Sequence, residues 1–81
     1  MLKETRLNFA KACGIIDDIG KKVIANHDYA FRSGDTAEIV GWRINPETRR
    51  PQYIIKFDDG ECDMIPAGTA FKDSGFKFIS N

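Results

Sequence analysis

The first twenty residues carry apolar positions at helical spacing. Four of these positions, separated by seven, four and three residues, are Leu2, Phe9, Cys13 and Ile16. This spacing aligns them along one side of an α-helix, and "IIDDIG" is typical of a last helical turn closed by Gly20. The pattern predicts an amphipathic helix over residues 3–18. Such a helix either covers one open end of a barrel or docks on another chain.

From Lys22 onward the apolar pattern repeats every two residues, as it does in half-buried strands. "KKVIANHDYAF" predicts a first strand, "SGD" a turn and "TAEIVGWRI" a second strand, which is followed by "NPETRRP", a polar loop bounded by prolines. Strict alternation divides the second strand into two faces. One face has Ala37, Ile39, Gly41 and Arg43, and the other has Thr36, Glu38, Val40, Trp42 and Ile44.

The second half of the chain contains three further strand patterns. "QYIIKF" predicts a third strand, and "DDG" a tight hairpin, because Asp followed by Gly supplies the positive φ angles of two-residue turns. "ECDMI" predicts a fourth strand that Pro66 ends, "AGTAF" a short helical or turn connection, and "FKFIS" a fifth strand. Five short strands joined by hairpins favour a small antiparallel barrel over a sandwich. We therefore expect a single mainly β domain over residues 1–81, with a helical segment at 1–20 and the barrel at 22–80.

Composition limits the classes of function. Twelve basic and twelve acidic residues in a chain of 81 give a formal charge of zero, so a nucleic-acid site would have to be a local patch. Cys13 and Cys62 lack the close spacing of zinc or redox motifs; both are expected to be buried, with a disulfide or a reactive thiol as alternatives. The sequence shows neither a signal-peptide apolar block nor a membrane-spanning stretch, which predicts a cytoplasmic protein.

Two stretches carry a family resemblance: "GDTAEIVGWRI" and "YIIKFDDGECDMIP". Over residues 22–80 the chain resembles the SH3-like barrels and, among them, is most similar to Tudor-like modules. The resemblance implies a five-stranded antiparallel barrel. Tudor readers hold a methylated lysine or arginine in a cage of aromatic rings and a carboxylate; the matching positions are Phe57 for the strand aromatic and Asp59 for the carboxylate. Trp42 and Tyr53 are candidates for further rings, whereas Glu61 stands where chromatin readers often have an aromatic residue.

An acidic group surrounds the predicted hairpin at Asp58, Asp59, Glu61 and Asp63. An exposed hairpin lacks the cleft that paired catalytic carboxylates need, and the spacing is not that of a calcium loop. We interpret the group first as a turn and second as an acidic rim that would meet a cationic partner. The predicted partner-binding residues are Trp42, Tyr53, Phe57, Asp58, Asp59 and Glu61.

A basic group lies on the preceding hairpin and the strand after it: Arg43, Arg49, Arg50 and Lys56. It is either a solvated loop or a set of phosphate contacts beside an aromatic ring that stacks on a base. We expect Trp42 or Tyr53 to be exposed near this loop, because aromatic residues and Arg dominate binding hot spots.

Catalytic chemistry is not expected. His27 is the only histidine, so the chain has no histidine pair for zinc, and neither cysteine lies in a nucleophile motif. An enzyme would require His27 and a carboxylate to converge in a pocket. We expect no metal and no cofactor, and predict a non-catalytic accessory or adaptor module, similar to small bacterial or bacteriophage proteins that bind a larger protein. The alternatives are a nucleic-acid or nucleotide binder, a Tudor-like reader of a methylated or cationic peptide, and association of two copies through the N-terminal helix.

Overall fold

The computed structural model describes residues 14–26 and 32–79 of the chain. Its elements are a 3₁₀-helix η1 (Ile16–Asp18), β1 (Lys22–Ala25), β2 (Thr36–Ile44), β3 (Pro51–Phe57), β4 (Cys62–Pro66), a 3₁₀-helix η2 (Gly68–Asp73) and β5 (Phe76–Phe78). The five strands form one antiparallel sheet in the order β4-β3-β2-β1-β5, curled into a half-barrel. The prediction of a mainly β chain with five antiparallel strands is confirmed.

The predicted N-terminal helix falls mostly on residues 1–13, which lie outside the described residues. The part that is described does not continue an α-helix. Gly14 has a φ of 72°, and the next regular element is the three-residue 3₁₀-helix η1. Residues 27–31 of the predicted first strand also lie outside the described residues. The predicted connection "AGTAF" is confirmed as a short helix, η2.

The core lies on the concave face of the sheet. Cross-strand pairs such as Val23 with Ala37 and Ile39 with Ile55 place buried side chains opposite each other. Ile15, just before η1, is fully buried and belongs to this core. No charged or polar side chain is buried among the described residues. Apolar burial is therefore the main stabilising contribution in this part of the chain.

A β-bulge interrupts β2 between Ile39 and Gly41, so that Val40 is the extra residue of the ladder. The bulge reverses the alternation that the sequence pattern predicted. Ile39 pairs with Ile55 and Trp42 with Tyr53, and since residues 53 and 55 share one face of β3, Trp42 lies on the same face as Ile39. The predicted assignment of Trp42 to the face of Glu38 is wrong for this reason.

Three aromatic rings connect β3, η2 and β5. Phe71 of η2 meets Tyr53 edge to face, with centroids 5.7 Å apart, and stacks on Phe78 with centroids 4.6 Å apart. Contacts of this kind stabilise beyond simple area burial. They fix η2 against the sheet and position the end of β5.

Candidate functional site

The guanidinium of Arg32 lies at the centre of an acidic cleft. Its Cζ is 3.9 Å from the centroid of the Phe57 ring. Nη1 donates to Asp35 at 3.1 Å, and Nη2 donates to Asp59 at 3.1 Å and to Glu61. The cation therefore rests on an aromatic face while three carboxylates bind its edge, which combines a cation–π contact with charge-assisted hydrogen bonds.

Two turns bring these groups together. Ala37 of β2 pairs with Phe57 of β3, so the turn that precedes β2 and the hairpin that follows β3 meet at one end of the sheet. The hairpin is closed by hydrogen bonds from the Gly60 N–H to the Phe57 carbonyl and from the Phe57 N–H to the Glu61 carbonyl. Gly60 has a φ of 90°, a conformation that favours glycine.

One backbone donor and one side-chain donor hold two of the carboxylates in place. The Glu61 N–H donates to Oδ1 of Asp59 at 2.9 Å, and Oγ1 of Thr36 donates to Oδ2 of Asp58 at 2.8 Å. The result is an open cleft of about 280 Å³. Its lining consists of Arg32, Asp35, Thr36, Phe57, Asp58 and Asp59. We refer to these residues together with Glu61 as the acidic cleft.

The acidic cleft carries a clear negative excess. Among its described residues, four carboxylates (Asp35, Asp58, Asp59 and Glu61) face one guanidinium, so their formal charges sum to −3. The hydrogen bond from the Glu61 N–H, followed by that from Arg32, holds the pKa of Asp59 below its ordinary value. The hydrogen bond to Asp59 in turn raises the pKa of Arg32. The side chains of Asp59 and Glu61 remain 58% and 66% exposed, so both can accept a further donor.

The structure brings Phe57, Asp58, Asp59 and Glu61 of the predicted partner-binding set into the acidic cleft. Sequence reasoning missed Arg32 and Asp35, which come from the turn before β2. Asp63 lies on β4 instead, where it accepts the backbone N–H of Met64 at 2.8 Å.

The predicted aromatic anchors belong largely to the core. Tyr53 and Phe57 are only 2% and 3% exposed, so the expectation of an exposed Tyr53 is wrong. The cause is the strand register, which directs Tyr53 inward between Trp42 and Ile65. Trp42 is half-buried against the same core.

The predicted basic group does not form one patch. Arg43 extends to Met64, with Nη1 3.2 Å from Sδ, while Arg49 and Arg50 are exposed in the loop before β3. Arg43 pairs with Gln52, and Lys56 lies four residues further along β3, which corresponds to roughly 13 Å. Successive strand residues point to opposite faces, so the side chains of Trp42 and Arg43 leave β2 on opposite faces of the sheet.

A second cleft, with a volume of about 670 Å³, lies where β1 begins and β5 ends. Its lining is Gly20, Lys21, Lys22, Phe78 and Ile79, and we call it the lysine cleft. Lys21 Nζ is 2.8 Å from Asp18 Oδ1 and 5.4 Å from the centroid of the Phe78 ring. Sequence reasoning did not identify this cleft.

Within residues 14–26 and 32–79, no group of three His, Cys, Asp or Glu side chains is arranged to hold a metal ion. Cys62 is exposed at the start of β4, so its predicted burial is wrong. His27 and Cys13 lie outside the described residues.

Within residues 14–26 and 32–79, no helix is long and apolar enough to cross a membrane.

Comparisons with protein-family models, with curated proteins and with solved structures gave no significant match to this chain.

Proposed function

We propose that this chain is a non-catalytic binding module, a small accessory or adaptor protein that binds a larger protein through the acidic cleft. The partner would present a cationic segment. The observation that carries this proposal is the position of Arg32, whose guanidinium lies over Phe57 and is bound by Asp59 and Glu61. An arginine of this chain thus occupies the type of environment that a partner's cation would need.

The remaining charge of the cleft favours an added cation. Among the described residues, one guanidinium leaves an excess of three carboxylate charges, and Asp35 accepts from Nη1 of Arg32 while its side chain stays 51% exposed. Charges at the rim of an interface chiefly raise the association rate and exclude partners of the same sign. A rim of this kind suits selection of a basic protein segment.

The openness of the cleft favours a protein segment over a small molecule. Small-molecule sites usually enclose most of their ligand's surface between apolar walls, whereas here the carboxylates are more than half exposed. The same chemistry supports a second candidate function, the reading of a methylated or unmodified cationic peptide in a Tudor-like manner. Asp59 would be the contact carboxylate, and the buried Phe57 ring would be reached only by a cation that displaces Arg32.

The curled sheet of five antiparallel strands supports assignment to the SH3-like barrels with a Tudor-like pattern over residues 22–80. That fold hosts many unrelated functions, so it adds little about the partner. A cytoplasmic location, a bacterial or bacteriophage source and association of two copies through an N-terminal helix remain parts of the proposal.

The test is an NMR titration with a short arginine-containing peptide and a matched peptide in which citrulline replaces arginine. We expect the arginine peptide to shift the amide signals of Asp35, Asp58 and Gly60. The double variant Asp35→Asn with Asp58→Asn should weaken this binding by about tenfold, because each change removes one negative charge from the cleft. The bonds that Asp59 and Glu61 make to Arg32 stay in place in this variant.

The matched control is Asp73→Asn, which makes the same chemical change at the end of η2. It should bind like the wild type. Equal binding of the citrulline peptide, or signal shifts confined to residues outside the acidic cleft, would contradict the proposal. Shifts centred on Arg49 and Arg50 with an RNA oligonucleotide, and none with the arginine peptide, would replace it by nucleic-acid binding.

A further inference from the structure

The lysine cleft has a composition different from that of the acidic cleft, and the two share no lining residue. Within the part of the chain that the structure describes, Gly20, two lysines and two apolar side chains line it, and no carboxylate does. Two acidic residues neighbour these lysines: Asp18 binds Lys21, and Glu38 pairs with Lys22 in the strand register.

Exposed apolar side chains concentrate at this cleft. Phe78 and Ile79 are 38% and 37% exposed, and Ile19, which precedes the lining residue Gly20, is 43% exposed. Among the described residues only two other large apolar side chains, Val40 and Met64, are as exposed. A group of apolar residues beside charged ones is typical of an interaction surface.

The walls of the cleft are fixed by backbone hydrogen bonds. The Ile79 N–H donates to the Lys22 carbonyl at 3.0 Å, and the Gly20 N–H donates to the Ile39 carbonyl at 2.7 Å. The Ile39 N–H in turn donates a hydrogen bond to the Lys21 carbonyl at 2.9 Å. A surface held in this way needs little ordering when a ligand binds.

The ring of Phe78 is poorly placed to stack on a nucleobase. Phe71 stacks on it with a centroid distance of 4.6 Å, and the ammonium of Lys21 lies 5.4 Å from its centroid. A base would have to displace one of them. The exposed part of the ring is therefore suited to contact with an aliphatic or aromatic side chain.

We propose that the lysine cleft docks a protein segment in which acidic and apolar side chains alternate. Carboxylates of that segment pair with Lys21 and Lys22, while its apolar side chains cover Phe78, Ile79 and Ile19. The opposite charge of the two clefts gives the module two distinct binding faces. Failure of this proposal leaves cation binding at the acidic cleft unaffected, because the two ligands have opposite charge.

The probe is a synthetic peptide that alternates Glu with Leu and Phe, compared with one in which Gln replaces every Glu and one in which Ser replaces every apolar residue. We expect the first peptide to shift the amide signals of Gly20, Lys22 and Ile79. Both replacements should weaken binding by about tenfold, since the site uses charge and apolar contact together.

Two single variants test the walls, each with a matched control. Lys22→Glu should weaken binding by about tenfold, whereas Lys77→Glu makes the same change on β5 outside the lining and should leave binding unchanged. Ile79→Ser should act like Lys22→Glu, with Met64→Ser as its control. The double variant Asp35→Asn with Asp58→Asn should bind this peptide normally.

Four results would overturn the proposal: no binding of the acidic apolar peptide at millimolar concentration, equal binding of the Gln peptide, equal losses in the control variants, or concentration-dependent dimerisation that buries the cleft. A fifth result, preferential binding to vesicles with anionic lipids over the peptide, would replace a protein partner by a membrane surface.

Discussion

The phenol of Tyr53 donates a hydrogen bond to the carboxylate of Asp18, 35 residues earlier in the chain. Tyr53 is buried on the inner face of β3, while Asp18 ends η1 and also binds Lys21 at 2.8 Å. The bond joins the segment before β1 to the centre of the sheet. The phenol oxygen is the polar end of the Tyr53 side chain, and the ring of that side chain packs in the core.

Tyr53→Phe is expected to destabilise the protein by about 1–2 kcal/mol, because a hydrogen bond to a charged acceptor is lost while the ring still packs. Urea unfolding followed by fluorescence of the single tryptophan measures this change. A double-mutant cycle with Asp18→Asn isolates the pair. If the two single changes were fully additive, the interaction would contribute nothing to stability.

The same bond predicts an alkaline dependence of stability. Burial, followed by the hydrogen bond to Asp18, raises the pKa of Tyr53 above the ordinary value of 10.0. As pH rises, the Tyr53 phenol therefore loses its proton in the unfolded chain before it does so in the folded one. The stability that the protonated phenol contributes is complete below pH 10.0 and declines as pH rises toward the folded pKa. Tyrosinate absorbance should show one of the two tyrosines titrating late, and Tyr53→Phe should remove that late titration. A late titration that survives in the variant would assign it to Tyr29.

Arg32→Gln should raise the pKa of Asp59 only partway to its ordinary value. The hydrogen bond from the Glu61 N–H is the larger cause of the lowered pKa and persists in the variant, whereas the bond from Arg32 is lost. Because the folded pKa is lowered, the stability that Asp59 contributes is complete above pH 3.8 and is lost as pH falls through the folded pKa. Side-chain carboxyl NMR titration measures the shift. Arg43→Gln, the same change on the outer face, should leave Asp59 unaffected.

The local patterns predicted the strands and the hairpin because both depend on neighbouring residues. A period of two marks β2 and β3, and Asp-Gly supplies the turn. The faces of β2 were predicted correctly only up to Ile39, since the bulge at Val40 adds one residue to the ladder and turns Trp42 inward. The residue types along β2 do not predict the position of this extra residue.

The acidic cleft was predicted only in part for a related reason. The hairpin residues Asp59 and Glu61 are separated by one residue in the sequence, but their partner Arg32 lies 27 and 29 residues away. Only the pairing of β2 with β3 brings it to them. The sequence signal, an arginine three residues before Asp35 at a turn, is compatible with an ordinary local ion pair. Long-range register therefore decides the site, and local pattern does not supply it.

Gly60→Ala and Gly41→Ala should change stability in clearly different ways. Gly60 sits at a φ of 90° with open space around its Cα, so alanine there meets no side chain but is strained by its own backbone. Gly41 has an ordinary strand conformation, and an added Cβ would lie 3.6 Å from Cδ1 of Ile54, a normal contact. We expect Gly60→Ala to cost about 1–2 kcal/mol and Gly41→Ala to be neutral or stabilising by up to about 1 kcal/mol.

Because Gly60 also sets the positions of Asp59 and Glu61, its variant should weaken arginine-peptide binding as well, while the Gly41 variant should not. Equal stability of the two variants in urea unfolding would show that the hairpin tolerates another turn conformation, and the acidic cleft would then not depend on this glycine.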